Sequence, residues 1–190
     1  RLLAVSAGTL LTSPLRAYES ARYGSTVRQT RIHPAPLFIL GHWRTGTTHL
    51  HNLLAQDRQF GFISTFQAMA PGFCLIGEKC IKPLLARVAA KLHPTREIDN
   101  IPLALDAPQE ESFAMANLSP LAWLHLYTLP RQARHIFTRY ALLEGLTNEE
   151  RAEWRNAYLS VLRKATLRSQ GRPLVLKDPA NTGRLRELLA

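Results

Sequence analysis

Cysteine is scarce in this sequence. Its 190 residues include two cysteines, Cys74 and Cys80, which lie close together in the chain. Two such residues cannot form the disulfide framework of a small secreted domain, and they suit a reducing compartment in which both stay free. We therefore expect buried free thiols and a cytoplasmic protein.

Long hydrophobic runs are missing as well. The apolar stretch from Leu2 to Leu11 is short and is broken by Ser6 and Gly8, so we expect no transmembrane segment. No internal repeat or low-complexity tract is visible. The chain starts at Arg1 and ends in what reads as the middle of a helix, so we expect a piece of a longer protein.

Acidic residues are too few to balance the basic ones. The sequence has 24 Lys and Arg against 14 Asp and Glu, a formal charge of +10 and a pI near 10.3. Such a charge favours an anionic ligand, nucleic acid or a membrane surface. The basic residues are spread along the chain with no nucleic-acid motif, so we expect no specific nucleic-acid partner and favour a small polyanion.

The lysine of a nucleotide P-loop is absent from an otherwise similar loop. Leu37 to Leu40 read as a short buried strand, a loop bounded by Gly41 and Gly46 follows, and Thr47 opens a helical segment. This layout turns backbone N–H groups and the positive end of a helix toward an anion. The two-glycine spacing equals that of a P-loop, but Thr47 stands where a P-loop has lysine.

The cation lies inside the loop instead, as Arg44. Its guanidinium and the hydroxyls of Thr45, Thr47 and Thr48 match the oxygens of a phosphate or sulfate. The sequence therefore predicts an anion site between residues 41 and 48.

A second strand–loop–helix unit is predicted at residues 173–190. Leu174 to Leu176 form an apolar run that leads into Lys177, and a helix is expected after Asn181 or Thr182. We predict an α/β fold with a P-loop-like parallel sheet and flanking helices. Because ligands bind at the carboxyl ends of parallel strands, Lys177 should lie near the Gly41–Thr48 loop.

One domain of 190 residues is expected, in four parts. Residues 1–35 form a helical lead-in interrupted at Pro14, residues 36–57 the first strand–loop–helix unit, residues 58–172 a mainly helical insertion, and residues 173–190 the second unit. With 46% hydrophobic residues the chain can bury a core.

Several local patterns are predicted within the insertion. Residues 60–69 read as a short strand or buried loop, residues 73–92 as helix with a break near Pro83, and residues 119–144 as two further helices. Asp106 and Gln109 resemble a capping box for a helix over about 107–117, whose first turn would hold Glu110 and Glu111. Thr147 and Glu150 form a second capping box, for a helix that runs to about Gln170. Gly171 would end that helix.

The loop motif also carries a family resemblance. Residues 42–57 read HWRTGTTHLHNLLAQD, which resembles the 5′-phosphosulfate-binding loop of sulfotransferases, in the form found in a large bacterial branch. Similar segments are Ile98–Asn100, Ala107–Ala114 and Leu174–Thr182, so the resemblance spans about residues 36–190.

The resemblance implies sulfuryl transfer from 3′-phosphoadenosine 5′-phosphosulfate (PAPS) to a hydroxyl or amine, with no metal required. Charge would build on the leaving phosphate oxygens, as in phosphoryl transfer, and fixed donors would stabilise it. Lys177 falls where sulfotransferases place a lysine close to the donor. The sequence Lys-Asp-Pro at residues 177–179 is similar to that of the tyrosylprotein sulfotransferase branch. The donor-binding residues implied are Gly41, His42, Trp43, Arg44, Thr45, Gly46, Thr47 and Thr48.

The base that accepts the proton of the acceptor is less clearly marked. Other branches carry histidine where this chain has Pro179 or Asn181, and neither of these can take a proton. Other branches use glutamate, which makes Glu110 our candidate with Glu111 beside it. His42 and His49 adjoin the loop and are further candidates, whereas His49 and His51 lie on different helix faces and make no metal pair.

The acceptor is expected to be a small molecule, glycan or lipid. Trp43, Phe66, Phe73 and Trp123 are candidate linings of an apolar cleft, although such residues are more often core. The resemblance also implies an arginine and a serine that bind the 3′-phosphate after the Lys177 segment. Either these residues lie beyond Ala190, as expected for a truncated sulfotransferase, or the chain cannot hold PAPS in the usual way. Nothing in the sequence predicts an oligomeric state.

Two other functions remain open. A P-loop kinase or NTPase gains support from Leu174–Asp178, which could serve as a Walker B strand with Asp178 near Mg²⁺. A non-enzymatic basic module would bind anionic glycans or nucleic acid.

Overall fold

A computed structural model of the chain describes residues 2–92 and 104–189. Its sheet has two parallel strands, β1 Leu37–Ile39 and β2 Val175–Lys177, with Leu37 opposite Val175 and Ile39 opposite Lys177. The prediction of a parallel α/β arrangement is confirmed. The Ile98–Asn100 motif lies outside the described residues.

The strands are surrounded by helices. The α-helices are α1 Leu2–Gln29, α2 Thr47–Leu54, α3 Thr65–Met69, α4 Cys74–Cys80, α5 Lys82–Leu92, α6 Glu111–Ala116, α7 Ala133–Tyr140, α8 Asn148–Arg168 and α9 Leu185–Leu188. Short 3₁₀ helices span Trp123–Tyr127, Pro130–Gln132 and Pro179–Gly183. None of the described helices is both long and apolar enough to cross a membrane.

Helix α8 forms one wall of the main core. Thr147 caps it by accepting the N–H of Glu150, whose carboxylate accepts the Thr147 N–H in return, so the predicted capping box is confirmed. The helix ends just before Gly171, which has a φ of 82°. The buried face of α8 packs against residues of β2 and α6. Its members are Trp154, Tyr158, Val161, Leu162, Ala165 and Thr166.

Helix α1 continues through Pro14, so the predicted interruption is wrong. Proline has no N–H and would leave the carbonyl of Leu10 without its helical donor. The hydroxyl of Ser13 donates to that carbonyl at 2.8 Å and supplies the missing bond. Further along α1, the buried Glu19 accepts the N–H groups of Leu75 and Ile76 at 2.7 and 3.1 Å, which ties α1 to the start of α4.

The insertion departs from the prediction where long-range contacts decide the local structure. Helix α6 starts at Glu111 rather than near residue 107, because Asp106 forms an ion pair with Arg168 at 3.0 Å instead of capping a helix. Pro108 lies in an antiparallel bridge with Ser64.

Other predictions for the insertion are confirmed in part. The predicted break near Pro83 is confirmed by the separation of α4 from α5, but residues 119–144 form two 3₁₀ helices and a shorter α7. Residues 60–69 contain a parallel bridge at Gly61 and the antiparallel bridge at Ser64, followed by α3. Cys74 is buried and burial raises the pKa of its thiol to about 12, whereas Cys80 is exposed, against expectation.

Gly61 gives the clearest test of the fold around β2. A Cβ added at Gly61 would lie 2.0 Å from Oγ and 2.4 Å from Cβ of Ser169. We expect Gly61→Ala to lower the free energy of unfolding by about 1–3 kcal/mol, because this overlap cannot relax without moving the end of α8. Urea denaturation measures the effect.

The control for this substitution is the double variant Gly61→Ala with Ser169→Gly, which removes both overlapping atoms and should recover most of the lost stability relative to Ser169→Gly alone. An equal loss in both backgrounds would contradict the packing described at this bridge.

Candidate active site

The loop after β1 has the backbone conformation of an anion cradle. Arg44 and Gly46 both have left-handed φ angles, 63° and 85°. A Cβ at Gly41 would lie 2.7 Å from Cγ2 of Thr47, so the turn can close this tightly only with glycine. Gly46 is the N-cap of α2 and no side chain caps that helix, which leaves its first N–H groups directed at the loop.

The loop side chains divide between solvent and core. Arg44 and Thr45 are exposed, and the Thr45 hydroxyl donates to the carbonyl of His42 at 2.6 Å. Trp43 points inward, and its ring lies edge-on to Trp123 at 5.9 Å and tilted against Phe137 at 6.1 Å. The side chain of Trp43 therefore anchors the loop to the helical insertion.

Lys177, the last residue of β2, meets this loop as predicted. The residue is 3% exposed, and its Nζ donates to Oγ1 of Thr48 at 3.2 Å. The same ammonium forms an ion pair with Glu110, the N-cap residue of α6. Three candidate residues from distant parts of the chain, Thr48, Glu110 and Lys177, thus lie in direct contact.

A second link between the two strand–loop units was not predicted. The N–H of Gly41 donates to Oγ1 of Thr182 at 3.1 Å. The only sequence signal for it was the placement of both residues just beyond the carboxyl ends of parallel strands. The contact fixes the start of the loop against the turn that follows β2.

Glu111 is a fully buried carboxylate next to Lys177. It is 0% exposed, and it accepts hydrogen bonds from Tyr158 Oη at 3.2 Å and Asn181 Nδ2 at 2.8 Å on Oε1. Its Oε2 accepts the backbone N–H of Lys177 at 3.1 Å. Burial, reinforced by the nearby charge of Asp178, raises the pKa of Glu111 to about 7.

Asp178 serves the fold rather than a ligand. Its Oδ1 accepts the N–H of Ala180 at 2.9 Å, while Oδ2 accepts from Arg184 at 3.2 Å and from the indole of Trp123 at 3.5 Å. The side chain is fully buried. Because both oxygens are engaged, Asp178 does not offer the free carboxylate that a Walker B strand presents to Mg²⁺.

The histidines near the loop have different environments. His49 is exposed, whereas His51 is 2% exposed, which confirms that they lie on different faces of α2. Burial and the charge of Lys177 lower the pKa of His51 to about 4, so its ring is neutral at physiological pH. His42 is exposed, and its ring lies edge-on to Trp43 at 5.0 Å. Within residues 2–92 and 104–189 no group of three or more metal-ligating side chains was found.

The aromatic residues expected around an acceptor cleft belong mainly to the core. Phe66, Phe73 and Trp123 are buried, so of the four candidates Trp43 alone is partly accessible. A cleft of about 500 Å³ lies instead within the insertion. Its lining includes Leu118, Pro120, His125, Leu129, His135 and Tyr140.

Comparison with known proteins places this geometry in context. The model of the sulfotransferase family matches residues 36–190. The omega-hydroxy-beta-dihydromenaquinone-9 sulfotransferases Stf3 of Mycobacterium bovis and Mycobacterium tuberculosis are each 30% identical over 184 residues, or 95% of this chain and 45% of the relative. The chain thus spans about half the length of these curated relatives.

A solved structure has a similar fold. The crystal structure of sulfotransferase STF1 from Mycobacterium tuberculosis H37Rv aligns with a TM-score of 0.50 and 18% identity. The alignment covers 92% of this chain and 47% of that one. At this identity the likeness is one of fold.

The raised pKa of Glu111 predicts a pH dependence of stability. Between about pH 4.5 and 7 the folded chain holds a proton on Glu111 that the unfolded chain has released, so this contribution to stability falls as the pH rises. The stability of the wild type minus that of Glu111→Gln should therefore decrease across this window and level off above it. Urea denaturation at a series of pH values measures the difference, in which the titration of His51 largely cancels.

The control is Glu149→Gln at the exposed start of α8. Hydrogen bonds to the backbone and to Thr147 lower the pKa of Glu149, so the corresponding difference should fall only as the pH drops below about 4.5. A Glu111 difference that rises with pH would contradict the described burial.

Proposed function

The chain belongs to the sulfotransferase family, and on that basis we propose that the protein moves a sulfuryl group from PAPS to a hydroxyl or amine by in-line transfer. The observation that carries the proposal is the contact of Lys177 with both Thr48 and Glu110. It brings a cation, the anion loop and a carboxylate to one place, which are the groups that such a transfer needs.

The loop would bind the 5′-phosphosulfate of the donor. Its fit to a tetrahedral anion rests on the exposed guanidinium of Arg44, the uncapped N-terminus of α2 and the closed turn at Gly41. Bound PAPS supplies the activated sulfuryl group. The residues proposed for this role remain Gly41, His42, Trp43, Arg44, Thr45, Gly46, Thr47 and Thr48, with Trp43 acting through its backbone because its ring packs inward.

Lys177 would stabilise the charge that develops on the leaving phosphate oxygen. The ammonium of Lys177 is almost entirely buried. In such a buried environment an interaction between an ion and an oxygen is stronger than at the surface. Thr48 directs this ammonium toward the start of α2. A metal ion is not needed for this role, since the loop N–H groups, Arg44 and Lys177 already supply positive charge.

Glu110 is our candidate for the general base. It lies at the N-terminus of α6 in contact with Lys177, so a proton taken from the acceptor would be received beside the leaving group. Asn181, where other branches have histidine, is buried and donates to Glu111, which makes it a structural residue here. His42 and His49 are the alternative bases.

The acceptor side would be formed by the insertion, residues 58–172. The curated relatives are named for a hydroxylated dihydromenaquinone, and we propose an acceptor of related chemistry, a small molecule or lipid with a free hydroxyl. The cleft of about 500 Å³ in the insertion has apolar and imidazole linings that suit such a molecule. The free thiols favour a cytoplasmic location.

A P-loop NTPase is the less favoured alternative. Its Walker B aspartate would be Asp178, whose two oxygens are both engaged in the buried network around Arg184. An activity assay separates the two enzymes. A sulfotransferase would transfer the sulfuryl group from PAPS without added metal, whereas an NTPase would hydrolyse a nucleotide only with Mg²⁺. A basic binding module would catalyse neither reaction.

Arg44→Ala tests the donor site. Loss of a charge-assisted, exposed guanidinium contact should weaken binding of 3′,5′-adenosine diphosphate about 10- to 100-fold, which is about 1.5–3 kcal/mol. Calorimetric titration of this chain, and of a longer form that includes the rest of the relatives' length, measures the affinity.

The matched control is Arg134→Ala on α7, which removes the same charge from another exposed position. It should change the affinity less than threefold. Equal weakening by the two substitutions would favour the basic binding module and contradict the loop assignment.

Glu110→Gln tests the proposed base. The amide cannot accept the acceptor proton, so turnover should fall about 10²- to 10⁴-fold. The affinity for 3′,5′-adenosine diphosphate should stay within a few-fold of the wild type. The measurement is transfer from radiolabelled PAPS to a panel of phenols and long-chain alcohols. Retention of more than a third of the wild-type rate would exclude Glu110 and move the assignment to His42 or His49.

A further inference from the structure

We propose that Glu111 is a positioning residue for Lys177 that holds the main chain of the lysine while the neighbouring Glu110 holds its ammonium. The inference deepens the proposed function, because it rests on the role given there to Lys177. This role differs from that of a general base, the role for which Glu111 is an alternative to Glu110.

The direction of the Lys177 N–H follows from its position in β2. In a strand, alternate N–H groups point to the same side. The N–H of Val175 donates to the carbonyl of Gly61 at 2.8 Å, on the side of β2 opposite β1. Two residues later the chain from Gly61 has turned away toward α3, and Oε2 of Glu111 accepts the Lys177 N–H at 3.1 Å instead. A side-chain carboxylate thus replaces the missing neighbouring strand.

The carboxylate of Glu111 is itself anchored by the fold. Its other oxygen accepts hydrogen bonds from Tyr158 on α8 and from Asn181 in the turn after β2. Tyr158 is buried in the main core, and Asn181 is held in turn by the guanidinium of Arg184 at 2.8 and 3.0 Å. The position of Glu111 is therefore set by three elements of the fold rather than by its own rotamer preference.

Two successive residues, Glu110 and Glu111, both contact Lys177. Glu110 has extended backbone angles and Glu111 begins the helix, so their side chains diverge from one peptide unit. One reaches the ammonium of Lys177 and the other reaches its N–H. The lysine is held at both ends, which fixes the ammonium relative to the loop and leaves little freedom at the end of β2.

The cost of this arrangement supports a role beyond packing. A carboxylate removed from water is destabilising unless donors surround it, and here burial also raises its pKa. A glutamine would fill the same space without a buried charge. It cannot, however, accept from all three donors, because an amide nitrogen would face either the Lys177 N–H or the Asn181 amide.

The inability of a glutamine to accept from all three donors can be tested by exchanging the amide and the carboxylate between positions 111 and 181. In Glu111→Gln the amide nitrogen must face one of the donors. Either the Lys177 N–H loses its acceptor, or the side chain that accepts it loses its anchor on Asn181, and in both cases Lys177 is held less firmly. In the double variant Glu111→Gln with Asn181→Asp, the glutamine nitrogen can donate to the new carboxylate and its oxygen can accept the Lys177 N–H again. The aspartate keeps an oxygen for Arg184. Asn181→Asp alone places two carboxylates together and should lower stability.

The measurements are kcat and KM for PAPS, from release of 3′,5′-adenosine diphosphate in the presence of phenol and long-chain alcohol acceptors, with hydrogen exchange at the Lys177 amide. We expect Glu111→Gln to lower kcat at least about tenfold while KM for PAPS and the affinity for 3′,5′-adenosine diphosphate change less than about threefold. Protection of the Lys177 amide should fall by a similar factor. The double variant should recover both values to within about threefold of the wild type.

The outcomes separate this inference from the proposed function. A folded Glu111→Gln with wild-type kcat, or a double variant that recovers stability but neither kcat nor amide protection, would overturn the positioning role alone. A wild type that neither binds 3′,5′-adenosine diphosphate nor transfers a sulfuryl group would overturn the proposed function, and the positioning role with it.

Discussion

The site depends on the contacts that the nearly buried ammonium of Lys177 makes with oxygen atoms. Lys177 is 3% exposed, and a cation so far from water must be surrounded by oxygen atoms. Its partners are Thr48 at the start of α2 and Glu110 at the start of α6. Because these residues come from three separate parts of the chain, the single requirement to satisfy Lys177 brings the anion loop, the insertion and the second strand together.

This arrangement differs from a nucleotide P-loop in the origin of its cations. A P-loop takes its lysine from the helix that follows the loop, where this chain has Thr47. Here one cation, Arg44, is exposed on the left-handed turn of the loop, and the other arrives at the end of the neighbouring strand. The proposed sulfuryl transfer uses this difference, because a cation at the strand end lies where a leaving oxygen at the helix N-terminus would carry charge.

Local patterns were predictable from the sequence and distant partners were not. The order of strand, loop and helix in residues 36–57 and the capping box at Thr147 depend on neighbouring residues, and these predictions hold. The prediction that residues 37–40 form a buried strand is wrong in part, because β1 ends at Ile39 and Leu37 and Leu40 are exposed. The approach of Lys177 to the loop followed from the general behaviour of parallel strands. The false capping box at Asp106 and the buried network of Glu111 depend instead on partners about 50 to 70 residues away, such as Arg168 and Asn181, for which a single sequence carries no signal.

We propose that Arg44 and Lys177 act on one bound anion, which a double-mutant cycle would test. Calorimetry would measure binding of 3′,5′-adenosine diphosphate to the wild type, Arg44→Ala, Lys177→Ala and the double variant. If both cations contact the same phosphate, the losses will be non-additive by at least about 0.5 kcal/mol. Losses that add to within about 0.3 kcal/mol would show that the two residues do not share a ligand, and would contradict the single site described here.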